Sequence, residues 1–215
     1  MALAFSQTKG KAIKKSFDAY EYKDGENTVR IVGGILPRYV YWLKGTNAKD
    51  IPVECLAFDR EAEKFNNKEY DHVPDYFSDK KCSWSYSTNC IDLKDGKVKI
   101  LNLKKKLFEQ ICQAAEDLGD PTDTDSGWDV VFKRVKTGPL PFNVEYTLSV
   151  LRCKKRALTE AEIEAATASE SIDVKYPRQT PEEVKATLER ILKGPAGEEA
   201  ADSTTDNEAV SDLAH

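Results

Sequence analysis

Two short segments interleave cations with aromatic rings. RYVYWLK supplies Arg38, Tyr39, Tyr41, Trp42 and Lys44, and KKCSWSYS supplies Lys80, Lys81, Trp84 and Tyr86. Binding a single nucleic-acid strand without reading its bases needs both kinds of group. Cations follow the phosphates, and exposed rings stack on the bases. On a strand Tyr39 and Tyr41 share one face while Val40 and Trp42 share the other, so at least one of each set belongs to the core. Arg134 and Lys136, on the strand after Trp128, are candidates to line the same groove. Lys104-Lys105-Lys106, at a helix start, reads mainly as a solvated face.

Signals for other chemistry are thin. Cys55, His72, Cys82 and Cys90 are ligand types that zinc accepts. Their spacings are loose and contain no close Cys pair, so they read as weak zinc candidates and chiefly as packing residues. No cofactor is expected. One of the two His is the terminal His215, which leaves His72 as the sole candidate base of its kind. No nucleophile turn accompanies it and no phosphate-binding loop occurs. Asp120 to Asp125 lack the Gly and Glu that an EF-hand loop requires, and read as a solvated loop. These absences point away from an enzyme.

The elements that must position the aromatic segments follow from periodicity. TVRIVGGIL (28–36) is a β-branched run whose paired glycines suggest a bulge or sharp coiling. RYVYWLK and IPVECLAF (51–58) read as further strands, and the polar stretch 61–81 as an insertion or long loop. CSWSYSTNCIDL (82–93) alternates, then turns at Asp95-Gly96 into VKILNL. LKKKLFEQICQAAEDL (103–118) switches to helical spacing, with Leu103, Leu107, Ile111, Ala114, Ala115 and Leu118 on one apolar stripe. WDVVFKRVK (128–136) and VEYTLSVLR (144–152) flank a Gly- and Pro-containing loop as a hairpin. Thr159 to Glu162 and Thr180 to Glu183 fit capping boxes that open two helices.

A helix between the third and fourth of five strands is the plan of an OB-fold barrel. The expected fold is therefore mainly β: a five-stranded OB-fold barrel with an inserted loop region and a helical C-terminal extension. The expected divisions are a basic N-terminal arm (1–24), the barrel domain (25–157), peripheral helices (158–195) and a disordered acidic tail (196–215).

Charge follows this plan. The 215 residues carry a net charge of -5. The tail holds six acids and no Lys or Arg, whereas the first fifteen residues hold Lys9, Lys11, Lys14 and Lys15 and no acid. Such a tail serves as a solubilising appendage, or mimics a polyanion and competes for a basic groove. Mean hydropathy is -0.57, and no apolar run reaches membrane-spanning length, so no membrane partner is expected. Five Cys without a CxxC pair, and a start without a secretory pattern, are read as a cytoplasmic chain with free thiols.

The order of segments resembles the single-stranded DNA-binding proteins of tailed phages, the group that includes the T-even helix-destabilising protein. The matching pieces are KKCSWSYSTNCID, DGKVKIL, KKLFEQICQAAED, the paired strands GWDVVFKRV and EYTLSVL, and the helix start at Leu158, Thr159 and Glu162. VRIVGGILPRYVYWLKG looks like the family's first two strands. The resemblance implies an OB-fold that protects and organises single-stranded DNA in phage replication, recombination and repair, in the host cytoplasm. It implies that Tyr86 faces DNA behind the basic lead-in Lys80 and Lys81. It also implies that Lys11, Lys14, Lys15 and Ser16 contact neighbouring copies and that the acidic tail recruits replication or recombination proteins. The zinc subdomain of the T-even protein carries a close Cys pair that this chain lacks, so zinc is not carried over. Two other readings of the same residues are an adaptor acting chiefly through protein contacts and an RNA-binding OB protein.

Overall fold

The computed structural model describes residues 18–45, 50–140 and 143–193. The first strand, β1 (Gly25–Leu36), is long and organises everything else. Residues 37–86 then leave it as an excursion containing β2 (Tyr39–Lys44), β3 (Asp50–Glu54), β4 (Phe58–Asp59), β5 (Lys64–Phe65), α1 (Val73–Tyr76) and β6 (Ser83–Trp84). The chain returns through β7 (Ser87–Asp92), β8 (Lys97–Asn102), α2 (Lys105–Leu118), β9 (Val130–Lys136) and β10 (Val144–Leu148). It ends in α3 (Glu160–Ala168), α4 (Ile172–Lys175) and α5 (Pro181–Lys193).

β1 belongs to two pairings at once. Its first half pairs antiparallel with β9, from Gly25 opposite Arg134 to Val29 opposite Val130. Its second half pairs antiparallel with β7, ending at Leu36 opposite Ser87. The register slips between Val32 and Ile35, where Gly33 takes a φ of 76°. This is the bulge that the paired glycines predict, and it lets one strand bend between two partners. The resulting sheet has the order β10-β9-β1-β7-β8. Gly96, at a φ of 70°, makes the tight β7–β8 turn.

Alternation along β1 sends Val29 and Ile31 to one face of this sheet and Val32 to the other. The first face carries the main core: Leu107, Ile111 and Ala114 of α2 against Leu101, Trp128, Phe132 and Tyr146. Trp128 is fully buried, and its indole N–H donates to the carbonyl of Gly119 at 2.8 Å, tying the end of α2 to the approach of β9. The second face is covered by the C-terminal segment, with Leu158 on Val32 and Ile91 and Ile172 on Leu36 and Ile100.

Five of the expected strand segments, 28–36, 82–93, 98–103, 128–136 and 144–152, contribute to this sheet, but the described residues form no closed barrel. The sheet stops at β8 on one side and β10 on the other. Residues 18–22 run along the β8 edge, with Ala19 bridged in parallel to Ile100. The Tyr22 hydroxyl donates to the Asn102 carbonyl at 2.7 Å, and its ring meets Tyr146 of β10 edge-on at 5.1 Å. Side chains, rather than a ladder of hydrogen bonds, bridge the seam.

The excursion differs from the expectation more sharply. RYVYWLK is not a second strand of the main sheet. As β2 it is the centre of a separate three-stranded sheet, β3-β2-β6. The insertion is therefore all of 37–86 rather than 61–81. Its core is completed from far along the chain: Val184, Leu188 and Ile191 of α5 pack on Tyr41, Leu43, Val53, Leu56 and Val73. α5 is integral to this unit, not peripheral.

The Thr159 capping box forms, with Glu162 reaching back to the Thr159 N–H. Glu162 is also clasped by both terminal nitrogens of Arg156 at 2.7 Å, while Arg156 Nε donates to Asp129. The Arg156 hydrogen bonds, chiefly, hold the Glu162 carboxyl down at about 2. Its folded value lies below the usual carboxylate range, so the stabilisation is complete above the unfolded value near 4.5 and is lost as pH falls toward 2. Glu162→Gln should lower stability at neutral pH by about 1–3 kcal/mol. Urea melts should show the gap between parent and variant closing between pH 4.5 and 2, and a constant gap would refute the assignment.

Candidate nucleic-acid interface

The structure brings the two aromatic–cationic segments side by side. β2 and β6 are antiparallel neighbours, with Tyr39 opposite Trp84 and Val40 opposite Ser83. Lys80 and Lys81 lead into β6, and Lys44 closes β2. The Lys44 side chain is 73% exposed and 3.7 Å from Asp50. Lys80 is exposed and 3.2 Å from Asp79, and Lys81 is exposed. Such surface pairs are weak, and hold these cations at little cost to separate.

The aromatic residues divide by role. Trp42 is half-buried between Tyr41 and Leu43, and its indole N–H has no hydrogen-bond partner among the described residues. Tyr41 is a core residue whose hydroxyl donates to Asp71 at 3.0 Å. Burial and the bond with Cys55 push its pKa up. Tyr39 lies half-buried against Phe58, Phe65 and Trp84, which ties β2 to the β4–β5 pair as well as to β6. Trp84 stacks on Tyr86 at 3.5 Å, and its N–H donates to the Leu103 carbonyl at 3.0 Å. Tyr86 itself is only 5% exposed, and burial, then Glu63, push its hydroxyl pKa up. One face of Tyr86 is thus already taken by Trp84. Of the candidate rings, Tyr39 and Trp42 are both half-buried on β2; Tyr39 faces inward with Tyr41 and Leu43, whereas Trp42 alternates to the face that carries the exposed Lys44.

Arg38 is committed within the protein. Its guanidinium sits 3.8 Å from the Tyr176 ring centroid, and Nε donates to the Ser85 carbonyl at 3.2 Å. Burial lowers its pKa, a shift that the neighbouring Tyr176 and Glu54 oppose. Arg134 and Lys136 lie on β9 in the other sheet. Arg134 is buried and paired with Asp24, while Lys136 is exposed and 3.6 Å from the same carboxylate. Lys104, read from sequence mainly as part of a solvated face, lies 5.4 Å from the Tyr22 ring and 6.0 Å from that of Tyr146, the residue opposite Arg134. Its only sequence signal was the lysine run 104–106.

The four zinc candidates do not converge. Cys90 is buried in the main core, whereas Cys55 and Cys82 belong to the core under α5. The Cys55 thiol lies 3.1 Å from Asp71 and is pushed up by its bond with Cys82 and by burial. His72 Nδ1 turns to Asp75 at 3.3 Å. Among the described residues no three His, Cys, Asp or Glu side chains are grouped to hold a metal ion. No helix among them is long and apolar enough to cross a membrane. The arm residues Lys11, Lys14 and Lys15 and the tail 196–215 lie outside the described residues.

No family model matches the chain. A curated protein does. The chain is 31% identical over 137 residues to a protein of Escherichia phage T5 named "Probable ssDNA-binding protein", with 58% of this chain and 53% of that protein covered. The chain therefore spans about half the length of the curated relative it matches. The resemblance to phage single-stranded DNA-binding proteins, read from the order of segments, is found again in this relative.

Proposed function

We propose that the chain binds single-stranded DNA without sequence preference and without catalysis, protecting and organising it in phage replication, recombination and repair. The β2–β6 pairing carries the proposal. It pairs two segments that are far apart in sequence, one bearing Trp42 and the exposed Lys44, the other led by the exposed Lys80 and Lys81. The name of the phage T5 relative supports the same ligand. Lys44, Lys80 and Lys81 follow the phosphates and Trp42 receives a base. Tyr39, Trp84 and Tyr86 form the rigid floor, and Lys136 extends the basic surface along β9. Residues around Lys11, Lys14 and Lys15 touch neighbouring copies, and the tail offers carboxylates to the same basic groove or to partner proteins. We read the main sheet as an OB-type barrel open at one seam. The order β10-β9-β1-β7-β8, with α2 between β8 and β9, supports that reading.

Tryptophan fluorescence tests the proposal. Trp128 is fully buried and Trp84 is stacked on Tyr86, so a stacked base should quench mainly Trp42. Titration with oligo-dT should give saturable quenching that weakens with salt and is much smaller with duplex DNA. Most of the quench should vanish in Trp42→Phe. Absence of binding at low salt, even with residues 196–215 removed, would overturn the function. Full quenching in Trp42→Phe would move the stacking site elsewhere.

A further inference from the structure

The aromatic cluster behind β6 opens into a groove of about 440 Å³, a size within the range of ligand sites, roughly 300–1,000 Å³. Its floor is apolar. Trp84 and Tyr86 stack at 3.5 Å, and Phe108 tilts against them at 5.7 and 5.9 Å. Tyr86 is buried, so the half-buried Trp84 and Phe108 supply the ring surface that remains open. The rim is acidic. Glu63 comes from the β4–β5 hairpin and Glu109 and Glu116 from α2, and no Lys or Arg is among the lining residues. Glu109 and Glu116 are exposed and two helical turns apart on one face of α2. Between the two walls lies Cys112, whose thiol is pushed up by burial and then by both Glu63 and Glu109. We infer that this groove docks an arginine-bearing segment of another protein.

Charge complementarity selects that occupant. Rings beneath carboxylates suit a side chain that is flat and cationic at once. A guanidinium stacks on an aromatic face, gives up its water more readily than an ammonium, and bonds a carboxylate through two parallel N–H groups. The polyanions are excluded by the same charge. A DNA strand is repelled by the three carboxylates, and so is the tail 196–215, which holds six acids and no Lys or Arg. A purely apolar segment would bury carboxylates without compensation. The groove is also separate from the proposed DNA face. Trp84 is directly opposite Tyr39 and shares its face of the β2–β6 pair, whereas Trp42, three residues along β2, alternates to the other face. A partner seated on Trp84 therefore leaves Trp42 open, and the inference stands independently of the proposed function.

NMR titration of the full chain tests this, with an acetylated pentapeptide amide that carries arginine between two leucines and glycine at each end. The Trp84 indole N–H and the backbone amides of 109–116 should shift saturably, while the indole signals of Trp42 and Trp128 stay in place. Citrulline in place of the arginine keeps the shape and removes the charge, and should weaken binding at least about tenfold. Glu109→Gln with Glu116→Gln, on an exposed helix face, should do the same and leave the rest of the spectrum unchanged. Removal of 196–215 should leave peptide binding intact. Four outcomes overturn the inference: no shift at millimolar peptide, equal binding of the citrulline peptide, binding lost with the tail, or peptide affinity that falls as protein concentration rises, which would show a second copy already in the groove. Oligo-dT is titrated separately. It should bind the peptide-loaded chain as it binds the free one, and competition between the two would overturn the separation of the surfaces. Failure of oligo-dT to bind the free chain would strike the proposed function while the peptide titration still judges the groove.

Discussion

Replacing Lys44, Lys80 and Lys81 together by Gln should remove about two units from the slope of log affinity against log salt. Each phosphate contact with a single strand contributes about −0.7, so three lost contacts amount to roughly −2.1. Over a fourfold rise in salt the parent should then lose about twentyfold more affinity than the variant. The three side chains are exposed, and the pairs of Lys44 and Lys80 with Asp50 and Asp79 are surface pairs of small value. Thermal stability should therefore stay within about 0.5 kcal/mol. A variant that binds less tightly but keeps the parent slope would mean that these lysines do not touch phosphates. An unchanged affinity and slope would place the phosphate track elsewhere, with the Lys104 and Lys136 end of the main sheet next to be examined.

The second large effect concerns where the chain is cut. Removing 196–215 should leave the described structure intact, because α5 ends at Lys193. It also removes six carboxylates, so oligo-dT should bind more tightly, and unchanged or weaker binding would refute tail competition. Removing 179–215 should unfold the sheet made by β2, β3 and β6. Val184, Leu188 and Ile191 are buried against a core that includes Leu43, Val53 and Val73. Each aliphatic side chain of this kind contributes about 1.5–3 kcal/mol by burial, and three such losses approach the whole stability of a small domain. Leu188→Ala alone should cost about 2–5 kcal/mol in urea denaturation. Persistence of a native Trp42 emission spectrum after removal of 179–215 would show that the inserted sheet stands without α5.

Local signals in the sequence carried much of this architecture. α2 appears where Leu107, Ile111 and Ala114 repeat at helical spacing, and both capping boxes form: Thr180 and Glu183 exchange bonds at 2.9 and 3.2 Å, as Thr159 and Glu162 do. Asp95-Gly96 turns between β7 and β8, and Gly33 marks a bulge. These features depend on a few neighbouring residues. What was not legible depends on partners distant in sequence. Nothing in RYVYWLK says whether it joins β1 or begins a new sheet. Tyr41 looked as available as Trp42, and it is α5, some 140 residues later, that buries the Tyr41 side of β2. Tyr86 alternates with Ser85 and Ser87 as an exposed ring would, yet Trp84 and Phe108 enclose it. Composition suggested that both cationic segments serve one binding groove, but their adjacency follows from the β2–β6 register, which no local pattern encodes.

The dependence of the inserted sheet on α5 also sets an order of events during synthesis. Leu43 leaves the ribosome long before Leu188, by about 7–30 s at elongation rates of 5–20 residues per second. Through that interval β2 and β3 have no α5 to cover Leu43, Val53 and Leu56, while β1, β7, β8 and α2 are all made well before α5 emerges. The main sheet is thus able to assemble while the chain is still growing, and the inserted unit must wait for its last helix. Contacts of such long sequence separation slow folding. The nascent chain therefore passes through a stage in which its β2 surface is sticky, and a holdase chaperone that shields apolar strands would raise the yield of this protein more than that of one whose sheets close locally.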